Sequence, residues 1–104
     1  METLREKQSR FALMVARLIM KSAALGYEVT LGDAYRDERC PYGHQRSLHK
    51  KRLAIDLNLF KDGIFVRTTE GHKELGEWWE SIGGSWGGRF QDAPHFSLSH
   101  GGMR

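Results

Sequence analysis

At 104 residues, with 39% hydrophobic residues including five Phe, three Trp and three Tyr, the chain suits one domain with a modest core and is too apolar for a disordered segment. Its one cysteine, Cys40, excludes an internal disulfide; the charged stretch from Met1 to Arg10 reads against a secretory signal, and no apolar run is long enough to span a membrane. Sixteen Lys and Arg against thirteen Asp and Glu give a net charge of +3, which favours anionic partners only weakly and also suits an ordinary solvated surface.

Thr3-Leu4-Arg5-Glu6 fits a capping box, and Leu4, Phe11, Val15, Leu18 and Ile19 then recur at helical spacing until Gly26 offers a stop. This stripe reads as a core-facing side, with a membrane-surface helix as the alternative. Tyr27, Val29 and Leu31 alternate with Glu28 and Thr30 and predict a short strand. The polar stretch from Asp37 to Lys51, with Cys40, Pro41 and Gly43, predicts a loop. Leu53, Ile55, Leu57 and Leu59 alternate with Ala54, Asp56, Asn58 and Phe60 in a second strand, and Asp62-Gly63 suits a tight hairpin turn into Ile64-Phe65-Val66. Thr68 or Thr69 can cap a second helix carrying Leu75, Trp78, Trp79 and Ile82 and ended by Gly83-Gly84, although Gly71 and Gly76 disfavour it. A Gly-rich loop with Trp86 leads to a final strand, Phe96 to Ser99. Residues 1–104 thus predict a single α+β domain, a small and mainly antiparallel sheet with helices packed against it.

Two His and two carboxylates stand in a pattern suited to a hydrolytic zinc site. The first pair lies in S47-L48-H49-K50-K51-R52-L53-A54-I55-D56-L57 and the second in D92-A93-P94-H95-F96. Asp56 points away from the Leu53/Ile55/Leu57 face of its strand, and His95 away from the Phe96/Leu98 face of the last one. If these strands pair, Asp56 and His95 meet on one polar face. His49 precedes Asp56 by seven residues, which span roughly 23 Å if extended, so the chain must fold back between them, at Lys50 to Arg52. Pro94 stiffens the link from Asp92 to His95. Three ligands, His49, Asp56 and His95, leave one position of a zinc ion open, as in catalytic sites, and Asp92 could take a proton from the water there. Taken singly, a lone His is more often a surface residue and an Asp on a polar strand face is usually just solvated, so both readings stand at this point.

These residues resemble the zinc peptidases that cut bacterial cell-wall peptides: D-alanyl-D-alanine carboxypeptidases, vancomycin-resistance D,D-peptidases and phage L-alanyl-D-glutamate endopeptidase endolysins, with a fold shared with the hedgehog signalling domain. The family pattern Ser-x-His-x-x-Gly-x-Ala-x-Asp, followed by a carboxylate three residues before a second His, is present as Ser47, His49, Ala54 and Asp56, then Asp92 and His95. The run W86-G87-G88-R89-F90-Q91-D92-A93-P94-H95-F96 is most similar to the endolysin branch. The resemblance spans about Tyr27 to Ser99 and implies a hedgehog/D,D-peptidase-like fold. It also implies one zinc ion held by His49, Asp56 and His95, with Asp92 as catalytic base. A34-Y35-R36 resembles the family's Gly-Tyr-Arg segment and gives Arg36 the role of stabilising the oxyanion, against a plain surface salt bridge. Ser47, Trp86 and Phe90 become candidates for substrate contact, core packing being the alternative for the two aromatics. Two departures stand out: Arg52 replaces the usual Gly, where it could alter the bend between the ligands, and Ala34 replaces the Gly of Gly-Tyr-Arg.

The reaction implied is hydrolysis of an amide bond in a peptidoglycan stem peptide, by an endolysin-type endopeptidase or by a D,D-carboxypeptidase. A monomer is expected, made in a bacterial host cytoplasm and reaching the wall through a holin or a similar route, with no nucleic-acid partner and no stable membrane insertion. Three rivals remain. A non-catalytic zinc-stabilised module would bind cell wall or a protein without turnover. A nucleic-acid binder would use R36-D37-E38-R39 and H49-K50-K51-R52, short runs interrupted by acids. Cys40 with His44 could ligate a metal, but this spacing lacks a second close pair. His72 and His100 are expected at the surface, and Cys40 has no identifiable partner base.

Overall fold

Thr3 starts the first helix by reciprocal capping. Its hydroxyl accepts from the Glu6 amide at 3.1 Å while its own amide donates to the Glu6 carboxylate at 2.9 Å. In this computed structural model, which describes residues 1–35, 37, 39 and 48–103, that helix (α1) runs Leu4–Ala24 and ends before Gly26, whose φ of 91° suits glycine. Its buried side chains are Phe11, Met14, Leu18 and Ser22, one stripe at helical spacing. Ser22 is tolerated there because its hydroxyl donates to the Leu18 carbonyl at 2.8 Å. No helix among the described residues is long and apolar enough to cross a membrane.

Strand β1 (Glu28–Leu31) pairs with β2 (Ala54–Lys61), which also pairs with β3 (Ile64–Phe65) and β5 (His95–Ser97); β4 (Ser85–Trp86) completes the sheet beside β5. Every pairing is antiparallel, so the chain is an α+β fold with a five-stranded antiparallel sheet. At the hairpin Asp62 and Gly63 both take positive φ, 53° and 77°, as a two-residue turn of the right hand for twisted strands requires. Thr68 caps the second helix (α2, Thr69–Ser81) by accepting from the Gly71 amide at 3.0 Å.

The two helices cover the sheet face that carries Ile55 and Phe96. Trp79 of α2 meets Phe11 of α1 and Phe96 of β5 edge-on, with ring centroids 6.0 Å apart in each case. Its indole N–H donates to the Ser97 and Ser85 carbonyls, so a fully buried Trp has no polar debt. Gly76, unfavourable inside a helix by propensity, is needed here. A Cβ at that position would lie 2.1 Å from the Trp86 ring, so the missing side chain is the groove that seats this indole.

Three expectations need correction. The polar stretch ends in a 3₁₀ turn, Leu48–Lys51, with Leu48, His49 and Lys50 buried. The Gly-rich segment holds β4 and a second 3₁₀ turn, Gly87–Phe90, and the last strand begins at His95. His72 is buried rather than superficial: its Nδ1–H donates to the Thr68 carbonyl at 2.8 Å, which ties the ring to the first turn of α2.

Candidate functional site

The sheet register places Asp56 directly opposite His95. Ladder hydrogen bonds join Leu98 to Leu53 (3.0 Å) and Leu57 to Pro94 (2.9 Å) on either side. By the alternation of an antiparallel ladder, Asp56 and His95 form a non-hydrogen-bonded pair, the kind whose side chains approach most closely. The backbone of Asp56 is held from the other side. Its amide donates to the Asp33 carbonyl at 2.9 Å and its carbonyl accepts from the Gly32 amide at 2.8 Å. The carboxylate therefore projects from a strand clamped on both edges.

His49 arrives by the fold-back that the sequence demanded. The 3₁₀ turn is closed by the Arg52 amide on the His49 carbonyl (3.3 Å) and the Leu53 amide on the Leu48 carbonyl (2.9 Å). Arg52 itself completes the reversal with φ of 57°. This left-handed conformation costs a non-glycine residue about 1–2 kcal/mol, which explains why the related motif carries Gly here. The bend is thus kept despite the arginine, whose guanidinium lies 4.0 Å above the Tyr35 ring.

The result brings His49, Asp56 and His95 together, with one ligand atom from each, all within 4.8 Å of one another. Asp56 Oδ1 sits 3.3 Å from His49 Nε2 and 3.6 Å from His95 Nδ1, and the two imidazole rings are 5.3 Å apart at 74°. Two donors bound at 2.0–2.1 Å to one tetrahedral ion are about 3.4 Å apart, which is the spacing found. Asp56 Oδ1 and His95 Nε2 are buried, and no hydrogen bond among the described residues satisfies either. An orphaned carboxylate oxygen between two imidazoles is costly without a cation, so the donor set fits a zinc-type ion, and three protein ligands leave a position open. Burial raises the Asp56 pKa, but the imidazoles of His49 and His95 outweigh it and lower the carboxyl to about 2. The carboxylate is accordingly ionised wherever a metal would bind.

Asp92 stands at the rim, its side chain half exposed, with Oδ2 3.8 Å from His95 Nδ1. The turn that carries it is fixed by the Asp92 amide on the Gly87 carbonyl (2.8 Å) and the His95 amide on the Asp92 carbonyl (3.0 Å). Gly87 makes this possible: a Cβ there would lie 2.1 Å from the Asp92 carbonyl oxygen and 2.6 Å from His95 Cβ. Phe90 is 36% exposed, with its ring 5.7 Å from that of His95, and so forms an open apolar wall beside the site. Trp86 does not. It is 2% exposed and its indole N–H donates to the Ala93 carbonyl at 2.8 Å, so the expected substrate contact is instead a core residue that braces the Asp92–His95 turn.

Arg36, Ser47, Cys40 and His44 lie outside the described residues. The run from His49 to Arg52 is not an exposed basic stripe: His49 and Lys50 are 4% and 5% exposed, and Arg52 is stacked on Tyr35. Arg39 is paired with Asp37 at 3.2 Å. Sequence reasoning noted Gly87 only as part of the Trp-Gly-Gly run and missed its place under the Asp92–His95 turn, and it missed the contact of Arg52 with the Tyr35 ring. Of these only Gly87 carried a signal, a glycine pair a few residues before Asp92.

A family model described as D-alanyl-D-alanine carboxypeptidase matches residues 42–98, which is more than half of the chain and includes all three convergent residues and Asp92. No curated protein matches.

Proposed function

Because the chain belongs to the D-alanyl-D-alanine carboxypeptidase family of peptidases, we propose that it hydrolyses an amide bond in peptidoglycan stem peptides with one zinc ion held by His49, Asp56 and His95. The observation that carries this reading is the juxtaposition of Asp56 Oδ1 with His49 Nε2 and His95 Nδ1 at 3.3 and 3.6 Å, spacings suited to one tetrahedral ion. Zinc, when bound there, supplies a Lewis acid that lowers the pKa of water and polarises a carbonyl.

The protein's own groups do the rest. Asp92, half exposed and 3.8 Å from His95 Nδ1, takes the proton of the attacking water and returns it to the leaving amine. Arg36 is assigned, from the likeness of Ala34-Tyr35-Arg36 to the family's Gly-Tyr-Arg segment, the role of a cation that stabilises the developing oxyanion. Phe90 gives the substrate an apolar surface beside His95, and Ser47, next to the His49 turn, offers a hydroxyl to the peptide. The bond cut is the L-alanyl–D-glutamyl one. This choice is supported by the Trp86-Gly87-Gly88 run ahead of the Asp92/His95 pair, the feature similar to the endolysin branch.

The test is incubation of the zinc-loaded protein with purified peptidoglycan, followed by mass spectrometry of new peptide ends. New L-alanyl–D-glutamyl ends are expected. Loss of terminal D-alanine would make it a carboxypeptidase, and no product from protein shown to hold zinc would make it a non-catalytic binding module.

A further inference from the structure

Resting on the peptidase reading just given, we propose that Asn58 binds the main chain of the substrate peptide about two residues from the bond that is cut, and that Phe60 with Phe65 receives what lies beyond. Asn58 shares a face with the metal-ligand candidates. Along β2, Asp56, Asn58 and Phe60 are half-buried and alternate with the buried Ile55, Leu57 and Leu59, so they lie on the side of the sheet away from α1 and α2. The register of β1 agrees, with Thr30 directly across from Asn58 and Glu28 across from Phe60. A Cβ at Gly32 would stand 3.0 Å from Asp56 Cβ, which extends the same face to the Asp56 end.

Asn58 also lies at the end of the site where Asp92 stands. The Leu57 amide donates to the Pro94 carbonyl at 2.9 Å, whereas Ser97 is the partner of Ala54. The segment that carries Asp92 therefore enters β5 from the Leu57 end of the site and not from the Ala54 end. A peptide attacked between the ligands and Asp92, and extended along β2, passes over Asn58. Two residues of either chain span about 7 Å, and the four from Asp56 to Phe60 about 14 Å. The reach of Asn58 is thus the second residue from the cut bond.

The chemistry of the side chains suits that place. Among the described residues, neither the Asn58 carboxamide nor the Thr30 hydroxyl across from it has a hydrogen-bond partner. A carboxamide carries two donors and an acceptor, the complement of a peptide C=O and N–H, so Asn58 can hold a main chain whatever its side chains are. Farther along the face, the Phe60 and Phe65 rings meet with centroids 5.4 Å apart, and Phe65 is 40% exposed. One polar group that fixes orientation, followed by uncovered aromatic surface, is the usual make-up of a binding subsite.

The experiment measures cleavage of a soluble muramyl pentapeptide by zinc-loaded protein with Asn58 intact or changed to Ala. Two shorter substrates are compared, trimmed from either end to the residue next to the cut bond. Asn58→Ala should raise KM about fivefold and leave kcat within about twofold, the pattern of a lost neutral hydrogen bond made equally in the ground and transition states. One trimming should raise the KM of the Asn58 protein to a similar extent and leave that of Asn58→Ala unchanged, and which trimming does so gives the direction of the peptide. Zinc content and melting temperature should not change, because Asn58 bonds no other side chain. An Asn58→Ala protein with unchanged KM would overturn the proposal. So would a fall in kcat together with loss of zinc, which would make Asn58 a support of the metal site. Both results leave the peptidase reading intact. If the Asn58 protein, shown to hold zinc, cleaves neither these peptides nor peptidoglycan, the peptidase reading falls and takes this one with it.

Discussion

Gly87→Ala tests how the site is built, because this position has no role in chemistry and a large one in geometry. A Cβ at 87 would meet the Asp92 carbonyl oxygen at 2.1 Å and His95 Cβ at 2.6 Å, more than 1 Å inside ordinary contact for the first. Both struck atoms belong to, or are next to, the backbone of a turn closed by the His95 amide on that same carbonyl, so neither can swing aside. Forced overpacking of this kind costs about 1–3 kcal/mol, and the rigid partners place it at the upper end. Loss of glycine's freedom in the unfolded chain returns about 0.4–1 kcal/mol, leaving a net destabilisation of about 2 kcal/mol. For a domain of this size that lowers the melting temperature by about 10 °C. Asp92 and His95 must shift together by several tenths of an ångström, beyond the roughly 0.2 Å that a metal site tolerates, so zinc affinity should fall about tenfold or more. Differential scanning fluorimetry and a competitive zinc titration with a chromophoric chelator read the two effects. A Gly87→Ala protein with unchanged melting temperature and zinc affinity would refute the account of the turn.

Three further outcomes follow from the same geometry. Asp92→Asn should keep zinc and lose turnover, whereas His49→Ala should lose both; a zinc content assay with a peptidoglycan cleavage assay decides it, and full activity without the Asp92 carboxylate would sink its role as base. Zinc binds only the folded site, so excess free metal at a thousandfold over its dissociation constant should add about 4 kcal/mol of stability, which a chelator removes; a melting temperature indifferent to zinc and chelator would count against the site. In the metal-free protein the Asp56 carboxyl is lowered to about 2 from 3.8, so its stabilising contribution, on the order of 2 kcal/mol, is fully present above about pH 4 and is lost as the pH falls towards 2. Urea unfolding midpoints across that window should fall less in Asp56→Asn than in the native protein, and parallel curves would remove the carboxylate from the balance.

Most of the fold was legible because its signals are local. The capping box at Thr3 and Glu6, the Asp62-Gly63 turn and the alternation from Leu53 to Leu59 each depend on neighbours a few residues away, and each appears where the spacing puts it. What was not legible depends on packing that the local pattern does not show. The 3₁₀ turn at Leu48–Lys51 reads as polar loop because nothing in its own sequence shows that His49 and Lys50 are buried. His72 looks like a surface residue until Thr68 supplies its acceptor, and Gly76 looks like a weak point in α2 until Trp86, ten residues on, fills the space above it.

The site divides along the same line. Face alternation on two strands was enough to predict that Asp56 and His95 could meet, and the register makes them direct partners. His49 required only a reversal of the chain, and the structure places that reversal at Arg52. Its support is harder to read. Asp56 is clamped by Gly32 and Asp33, outside the residues 42–98 that the family model matches, and a Cβ at Gly32 would stand 3.0 Å from Asp56 Cβ. The core beneath depends likewise on Phe11 of α1, which meets Trp79 edge-on while Trp79 meets Phe96, the neighbour of His95. Chemistry is therefore concentrated in a short motif, while part of the support beneath its donors comes from outside the matched residues, from α1 and from the Gly32–Asp33 segment that follows β1. That division explains why a motif can point to His49, Asp56, Asp92 and His95 as candidates and still say nothing of the left-handed backbone of Arg52 or of the Tyr35 ring beneath its guanidinium.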